Sequence, residues 1–389
     1  MDFDHLISDR SASLDASGIR RIFELGAKLD DPINLSIGQP DFPVDASIKA
    51  AAASAIDADH NGYTLTQGIA PLRDRIAAHL ERDLGWERGD DPGLLITSGT
   101  SGAIMLAMLA LLNPGDEIVI PDPHFLCYPA VATMCGATAV PCDTYPDFRL
   151  TPERVEPLLT RRTKAVLLNS PSNPAGVVLD RASCDGLREL CASRGVVLIS
   201  DEIYDEFTFD DFATDTRVDG SPACPSPCRR PDAFGSTLLI RGFGKTYGMT
   251  GWRLGYAAGP KALIDQMAKL QQYTFVCAPA PLQHGVVAAF DVDMGPTVSR
   301  FKARRDLVVE RLSRVTEVTI PGGAFYVFPR APEGVTGRDF CERAIDENVL
   351  VIPGGAFSSR DTHFRISLAA PDERLERGVD ILASMFATG

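Results

Sequence analysis

The chain lacks a long apolar segment and a basic leader. Its longest uninterrupted apolar run, residues 103–112, falls short of the roughly 20 residues that a membrane-spanning helix needs. Residues 1–6 carry no Lys or Arg ahead of an apolar stretch, as a secretory signal would. These absences predict a cytoplasmic protein that contacts no membrane.

Positive charge is also scarce. The 38 Lys and Arg residues are outnumbered by 52 Asp and Glu residues, which gives a net charge of -14. Proteins that bind nucleic acid present a basic face to the phosphate backbone, so this composition predicts no nucleic-acid partner. The apolar fraction of 45% is that of an ordinary globular protein, and 389 residues are enough for a large domain with a smaller companion.

The cysteines do not form the pattern of a disulfide framework. There are nine, an odd number scattered through apolar segments, which indicates reduced and mostly buried thiols. Cys224 and Cys228 are the one close pair. No partner residues stand near them at the spacing of a metal site, so we predict a surface loop there and no bound metal.

The chain comes close to a nucleotide-binding P-loop but lacks its first glycine. Gly244, Lys245 and Thr246 match the end of that pattern, whereas the position of the leading glycine is Leu239. The acidic strand that would hold magnesium, ending at Asp201, precedes this segment instead of following it. A P-loop nucleoside triphosphatase is therefore disfavoured. A lysine at a glycine-rich strand end suits phosphate binding or a Schiff base with an aldehyde cofactor.

Apolar runs that predict strands alternate with segments that predict helices through much of the chain. Such alternation predicts an α/β fold with a mostly parallel central sheet flanked by helices. We predict a large domain over residues 45–280 and a smaller α+β domain formed by residues 1–44 and 281–389. Residues 1–31 are predicted to be helical, and the proline-bearing stretch 209–234 is predicted to be an exposed loop.

Small residues join a predicted strand to the predicted helix over residues 103–112. Gly99, Thr100 and Ser101 place no large side chain at the start of that helix. Its free N–H groups and the positive end of its dipole make such a helix start a cradle for phosphate.

Side chains with useful chemistry follow several predicted strands. Ligands of open parallel sheets bind beyond the carboxyl ends of the strands. The residues at those ends are an aromatic, an amide, a carboxylate, a phenol, a lysine and an arginine: Phe125, Asn173, Asp201, Tyr204, Lys245 and Arg253. With the phosphate cradle, they meet the needs of pyridoxal 5'-phosphate, which we predict as the cofactor.

At these residues the chain resembles the class I aminotransferases of fold type I, the aspartate aminotransferase-like family. The resemblance extends from about Ile33 to the C terminus, with the motifs in the same order. They are Gly38-Gln-Pro-Asp-Phe, Tyr63-Thr-Leu-Thr-Gln-Gly, Asn169-Ser-Pro-Ser-Asn-Pro-Ala-Gly, Ser200-Asp-Glu-Ile-Tyr, Lys245-Thr-Tyr-Gly-Met-Thr-Gly-Trp-Arg-Leu-Gly-Tyr and Phe364-Arg-Ile-Ser. The chain departs from the family in having Gly242 where a serine is often found, Gly244 where a small hydroxyl residue is frequent, and a longer connection from Tyr204 to Lys245.

The resemblance implies how the residues would hold the cofactor ring. Lys245 would form the Schiff base and act as the proton shuttle. Asp201 would contact the pyridine nitrogen, and Asn173 and Tyr204 would bind the phenolic oxygen. Phe125 would stack on the ring.

The resemblance also implies a phosphate site, a carboxylate site and a second subunit. The residues that would hold the phosphate within one subunit are Gly99, Thr100, Ser101 and Arg253. Tyr63 would reach the phosphate of the neighbouring subunit in a homodimer. Arg365 would bind the substrate α-carboxylate as a bidentate clamp, beside the backbone of Gly38.

The implied reaction is a two-stage transamination from an L-amino acid to a 2-oxo acid such as 2-oxoglutarate. The resemblance implies aspartate as the default donor. An aromatic donor is the other expectation, because no arginine can be placed as a receptor for a side-chain carboxylate and Phe325 with Tyr326 could line an apolar pocket. Two alternatives remain: a β-lyase of the same fold and a non-catalytic regulator. The acidic charge and the lack of a DNA-binding extension argue against the regulator.

Overall fold

The computed structural model of the protein describes residues 3–14, 26, 29–87 and 93–387. A central sheet organises the fold. The strands, in chain order, are β1 (Ile33–Asn34), β2 (Gly93–Ser98), β3 (Glu117–Asp122), β4 (Thr138–Asp143), β5 (Thr163–Asn169), β6 (Val197–Asp201), β7 (Asp215–Thr216), β8 (Pro222–Ala223), β9 (Thr237–Gly242), β10 (Leu254–Gly259), β11 (Tyr326–Val327), β12 (Val349–Leu350), β13 (Ile352–Pro353) and β14 (Phe364–Ser367). The 7-stranded sheet has the order β2-β10-β9-β6-β5-β3-β4.

Most neighbours in this sheet run parallel. The pairs β3-β4, β3-β5, β5-β6 and β6-β9 are parallel, whereas β10 lies antiparallel to both β2 and β9. Helices cover both faces, as a parallel sheet requires. The predicted α/β fold with a mostly parallel central sheet is confirmed.

The helices are α1 (Asp9–Ala12), α2 (Ala46–Asp57), α3 (Ala70–Leu84), α4 (Gly99–Leu111), α5 (Cys127–Met134), α6 (Pro152–Val155), α7 (Arg181–Arg194), α8 (Phe243–Thr246), α9 (Lys261–Tyr273), α10 (Ala280–Ala289), α11 (Gly295–Leu312), α12 (Gly337–Asp346) and α13 (Asp372–Ser384). Alternate residues of the strands face opposite layers: Leu238 and Ile240 pack with α4 and α9, whereas Leu239 packs with α2, α3 and α10. Within the described ranges, every helix is too short or too polar to cross a bilayer.

The N-terminal strand belongs to the C-terminal part of the fold. β1 pairs in parallel with β12, and Ile33 and Leu35 lie in one apolar cluster with Phe301, Phe325 and Phe364. The helix α10 packs on α2 in the cluster of the large sheet, which favours a domain boundary after this helix instead of at residue 280. The division into two domains stays a prediction.

Only part of the predicted N-terminal helix lies within the described residues. A 3-10 turn at Asp4–Leu6 and the short helix α1 are present there, and residues 15–25 lie outside the described residues.

The prediction of an exposed loop over residues 209–234 is wrong for residues 223–228, which are buried, and is confirmed for residues 218–220, which are exposed. The side chains of Phe209, Cys228 and Ala233 are fully buried, and Trp86 donates a hydrogen bond from Nε1 to the carbonyl oxygen of Cys228 at 2.8 Å. The surface loop predicted around Cys224 and Cys228 is wrong for the same reason. This segment includes the β7-β8 hairpin, whose loop residue Val218 is 70% exposed.

The segment also completes a buried ion cluster. Arg241, 3% exposed in the middle of the sheet, contacts Asp83 at 2.7 Å and Glu202 at 2.8 Å, and Arg217 and Arg229 contact Asp83 from the inserted segment. These contacts explain why so polar a stretch is buried: its charges have partners.

One group in this cluster has the spacing of a metal site. The ligand atoms of His79, Asp83 and Asp205 lie within 4.8 Å of one another. Arginine already neutralises both carboxylates, since Arg241 also contacts Asp205 at 3.0 Å. That pairing disfavours a bound cation, and the absence of a metal stays a prediction.

We expect Arg241→Met to lower the free energy of unfolding by about 3–5 kcal/mol, because Glu202 would stay buried without the arginine that pairs with it, whereas Asp83 keeps Arg217 and Arg229. Urea unfolding of the cofactor-free protein measures this loss. The matched control is Arg314→Met, which breaks an exposed i,i+4 pair with Glu310 and should cost less than about 1 kcal/mol. Equal losses in the two variants would contradict a special role of the buried cluster.

Candidate active site

A cavity of about 310 Å³ opens beyond the carboxyl ends of the parallel strands. All the sequence-predicted site residues except Tyr63 line it: Gly38, Gly99, Thr100, Ser101, Phe125, Asn173, Asp201, Tyr204, Lys245, Arg253 and Arg365. The structure therefore brings together residues that are spread over more than three hundred positions of the chain.

Lys245 reaches the cavity from the short helix α8, directly after β9. Its Nζ donates a hydrogen bond to the carbonyl oxygen of Gly38 and lies 5.9 Å from the centre of the Phe325 ring. A Cβ at Gly38 would lie 2.8 Å from the Tyr326 hydroxyl oxygen, so only glycine fits here without a shift of that tyrosine. The close backbone approach predicted at Gly38 therefore has a steric cause.

Asp201 ends β6 with its carboxylate buried and, among the residues that the structure describes, without a cationic partner. Tyr128 donates a hydrogen bond from its hydroxyl to Oδ2 at 2.8 Å, and the backbone N–H of Ile203 contacts Oδ1 at 3.3 Å. Burial raises the pKa of Asp201 to about 6 despite these two hydrogen bonds. A carboxylate held in this way is suited to a cationic ring nitrogen.

Tyr204 and Asn173 face the cavity from the ends of neighbouring strands. The Tyr204 hydroxyl oxygen lies 3.0 Å from that of Tyr326. Asn173 is fixed by Asn169, whose side-chain oxygen accepts a hydrogen bond from the Asn173 backbone N–H at 2.8 Å. Asn169 also donates to the carbonyl oxygen of Asp201 at 2.9 Å, which ties the two strand ends together.

Arg365 is a buried cation that pairs with no carboxylate in the described part of the chain. It is 3% exposed, and its Nη1 and Nη2 donate to Asn173 Oδ1 at 3.0 Å and to the Ser36 carbonyl oxygen at 2.9 Å. Its Nε has no hydrogen-bond partner within the described part of the chain. Burial, which no neighbouring carboxylate offsets, lowers the pKa of this guanidinium. An unpaired buried guanidinium fits an incoming carboxylate.

The phosphate cradle lies where α4 begins, at Gly99 itself. The Ser98 side chain makes no capping hydrogen bond to the first N–H groups. A Cβ at Gly99 would lie 2.6 Å from Arg253 Nη2, and one at Gly255 would lie 2.9 Å from the backbone nitrogen of Thr100. The absence of these Cβ atoms lets Arg253 and the free N–H groups approach the same space.

Two departures from the family pattern also have steric causes. A Cβ at Gly242 would lie 2.8 Å from Ile203 Cδ1 and 3.0 Å from Thr100 Cγ2, so a serine there would displace its neighbours. A Cβ at Gly244 would meet the backbone of Thr250 at 3.3 Å.

Tyr63 stands apart from the cavity of its own chain. Its side chain is 86% exposed. Its predicted contact with the phosphate of a neighbouring subunit stays a prediction.

Sequence reasoning missed three polar residues of the site: Tyr128, Asn169 and the hydroxyl of Tyr326. A signal existed for Asn169, because parallel pairing in register places it opposite Asp201. Tyr128 lies in α5 beside Phe125, whose ring meets it edge-on with centroids 5.8 Å apart. Nothing in the sequence pattern separates such a tyrosine from an ordinary core residue.

The sequence profile of the family described as "Aminotransferase class I and II" matches residues 30–382. The chain belongs to this family. A relative named "Probable aspartate aminotransferase", from Methanocaldococcus jannaschii, is 34% identical over 98% of this chain and 100% of its own. "Aromatic-amino-acid aminotransferase 2" from Thermococcus litoralis is 32% identical over 96% of both chains.

Solved structures agree with the sequence comparisons. The crystal structure of an aspartate aminotransferase from Thermotoga maritima superposes with a TM-score of 0.90 at 31% identity, over 98% of this chain and 100% of that one. This aminotransferase therefore has the fold of the aspartate aminotransferases. It is an enzyme that transfers amino groups between amino acids and 2-oxo acids, which confirms the predicted reaction class.

The raised pKa of Asp201 predicts how the stability of the cofactor-free aminotransferase depends on pH. Since its folded-state pKa is raised from 3.8 to about 6, the carboxyl resists ionisation in the folded state. Stability from this group is present below pH 4 and is lost as the pH rises through 6. Relative to Asp201→Asn, the wild-type free energy of unfolding should fall by about 2 kcal/mol between pH 4 and pH 7.

Urea unfolding at several pH values measures this difference. Tyr128→Phe is the companion variant: it removes a hydrogen bond that lowers the pKa of Asp201, so the loss should extend to higher pH. A difference between wild type and Asp201→Asn that stays constant from pH 4 to pH 7 would contradict the raised pKa.

Proposed function

We propose that this enzyme uses pyridoxal 5'-phosphate to move an amino group from an aspartate-like or aromatic L-amino acid to a 2-oxo acid such as 2-oxoglutarate. The observation that carries the proposal is the pair of buried, unneutralised charges, Asp201 and Arg365, in the cavity that Lys245 enters. Among the described residues, neither charge has a counter-ion. The cofactor ring would supply one for Asp201, and the substrate would supply one for Arg365. Fold type I aminotransferases generally depend on this cofactor, which supports the assignment.

The residues of the site fit the cofactor. Asp201 would face the pyridine nitrogen, and Tyr204 and Asn173 would bind the phenolic oxygen. The start of α4 with Arg253 would hold the phosphate, and Phe125 would stack on the ring. Bound there, the cofactor supplies an electron sink for the substrate Cα.

Two side chains would handle the substrate. Arg365 holds the α-carboxylate with its planar guanidinium, in a site where water is largely excluded. Lys245 Nζ removes the proton from the substrate Cα and returns a proton later in the reaction, as a positioned general base. The Gly38 carbonyl oxygen accepts a hydrogen bond from Nζ and so directs this amine into the cavity where the cofactor would bind.

The cavity bears on substrate choice. Its cationic side chains within the described residues are Lys245, Arg253 and Arg365, and each has a proposed role elsewhere. A side-chain carboxylate would therefore need a cation from outside this set, whereas an aromatic side chain would not. The names of the relatives support both donors, aspartate and aromatic amino acids.

We also propose a homodimer in the cytoplasm. Large apolar side chains are exposed around the loop that carries Tyr63, including Leu65 and Tyr273, which a second subunit would cover. Gln271 donates to the Thr66 carbonyl oxygen at 2.8 Å and joins this loop to the end of α9. The cytoplasmic location is supported by the cysteines, all nine of which are free thiols.

An absorption spectrum tests the proposed function directly. The protein, loaded with pyridoxal 5'-phosphate, is given single amino acids without any 2-oxo acid. We expect the visible band of the bound cofactor to disappear with one equivalent of 2-oxo acid formed, and the rates to rank the donors. Accumulation of ammonia with an unchanged band would mean a lyase, and no visible band at all would overturn the role of Lys245.

Lys245→Ala should lower turnover by at least about 10² to 10⁴-fold, because a positioned general base contributes roughly that factor. Some cofactor binding should remain, since phosphate and ring contacts come from other residues. Steady-state kinetics and equilibrium dialysis with the cofactor measure the two quantities. Lys261→Ala, at an exposed helix position, is the control that should leave turnover unchanged. Near-normal turnover of Lys245→Ala would rule out the assignment.

A hybrid dimer tests the contribution of Tyr63 across the interface. One subunit carries Lys245→Ala and the other carries Tyr63→Ala, each with its own purification tag. If Tyr63 acts on the neighbouring site, the hybrid has one intact site and should show about half the wild-type turnover at limiting cofactor. An inactive hybrid, or a monomer in sedimentation, would contradict the shared site.

A further inference from the structure

Tyr326 touches three parts of the site, and the proposed function gives it no role. It lies in β11, 1% exposed, and it lines the cavity. Its hydroxyl oxygen is 3.0 Å from that of Tyr204, and its ring centroid is 4.4 Å from the Arg365 guanidinium carbon. The same hydroxyl fills the space where a side chain at Gly38 would lie.

The direction of the Tyr204–Tyr326 hydrogen bond follows from the proposed function, on which this inference rests. A phenol has one proton to donate. If Tyr204 donates it to the phenolic oxygen of the cofactor, the Tyr204 oxygen accepts in the bond to Tyr326. Tyr326 must then be the donor, and a donated hydrogen bond makes the accepting hydroxyl a stronger donor in turn.

The ring of Tyr326 acts on a second residue. The Arg365 guanidinium carbon lies over two aromatic rings, 4.4 Å from the centroid of Tyr326 and 4.8 Å from that of Phe357. These faces hold the guanidinium plane, so that its edge remains available for a carboxylate. The pairing of β11 with β14 sets Tyr326 opposite Ser367, which lies two residues beyond Arg365 on the same face of β14. The contact between Tyr326 and Arg365 is therefore a diagonal cross-strand contact.

We propose that Tyr326 is a positioning residue with two separable actions: its hydroxyl orients and strengthens Tyr204 as a donor to the phenolic oxygen of the cofactor, and its ring holds Arg365 for the substrate carboxylate. It touches no reacting atom. Its effects therefore pass through Tyr204 and Arg365.

The pH titration of the visible band of the bound cofactor detects the first action. A donor at the phenolic oxygen stabilises the oxyanion and so favours loss of the proton from the chromophore that Lys245 forms. Removing the Tyr326 hydroxyl in Tyr326→Phe should raise the midpoint of the titration by about 0.4 to 1 pH unit. The titratable or charged groups that line the cavity around this chromophore are Asp201, Lys245, Arg365, Arg253, Tyr128, Tyr204 and Tyr326.

A double-mutant cycle separates action through Tyr204 from a general effect. Tyr204→Phe should raise the midpoint further than Tyr326→Phe does, and the double variant should match Tyr204→Phe alone. Tyr145→Phe removes a phenolic hydroxyl from an aromatic cluster outside the cavity and should leave the midpoint unchanged. Additive shifts, or a Tyr326→Phe midpoint equal to wild type, would overturn the first action.

The Michaelis constant tests the second action. Tyr326→Phe keeps the ring and should leave KM for the amino acid within about twofold, whereas Tyr326→Leu removes it and should raise KM roughly tenfold for donors of any side chain. Equal KM values in the two variants would overturn the role of the ring. A wild-type protein without a Lys245-dependent visible band would overturn the proposed function and this inference together.

Discussion

Parallel hydrogen bonding between β5, β6 and β9 is the constraint on which the site depends. Because the three strands run in the same direction and in fixed register, their carboxyl ends deliver Asn169, Asp201 and Lys245 to one edge. Crossover helices between parallel strands allow residues far apart in sequence to meet there without long loops. The antiparallel strand β10 then returns the chain so that Arg253, just before it, lies beside the start of α4.

The buried charged residues near the cavity are of two kinds, those that form ion pairs and those that do not. Arg241 lies one residue before the end of β9, and Glu202 lies one residue after the end of β6. Both are buried, and they pair with one another. Asp201, next to Glu202, and Arg365 are buried without an ion pair among the described residues. Burial of an unpaired charge costs free energy. Folding alone therefore gives no reason to keep an unpaired charge at these positions. The contrast separates the groups that stabilise the fold from those that await a ligand.

Small residues in this site are explained by what surrounds them. The inserted segment 209–234 also has a role that its contacts explain. Ser226 donates to Glu202 Oε1 at 2.6 Å, and Arg217 and Arg229 pair with Asp83. The segment is thus a buried support for the acidic residues behind the cavity. Its polar composition suggested exposure because sequence alone does not show which charges find partners.

The sequence by itself determined the α/β fold, the family, and the set of side chains at the strand ends that suits the predicted cofactor. These follow from local patterns: apolar periodicity, glycine-rich turns, and motifs in fixed order. Only the tertiary structure decided that Arg365 is buried against two aromatic rings and not facing solvent, that Tyr128 supports Asp201, and that Tyr326 contacts both Tyr204 and Arg365. The physical reason is that these contacts join residues distant in the chain, whose partners are set by strand order and packing and leave no periodic trace in the sequence.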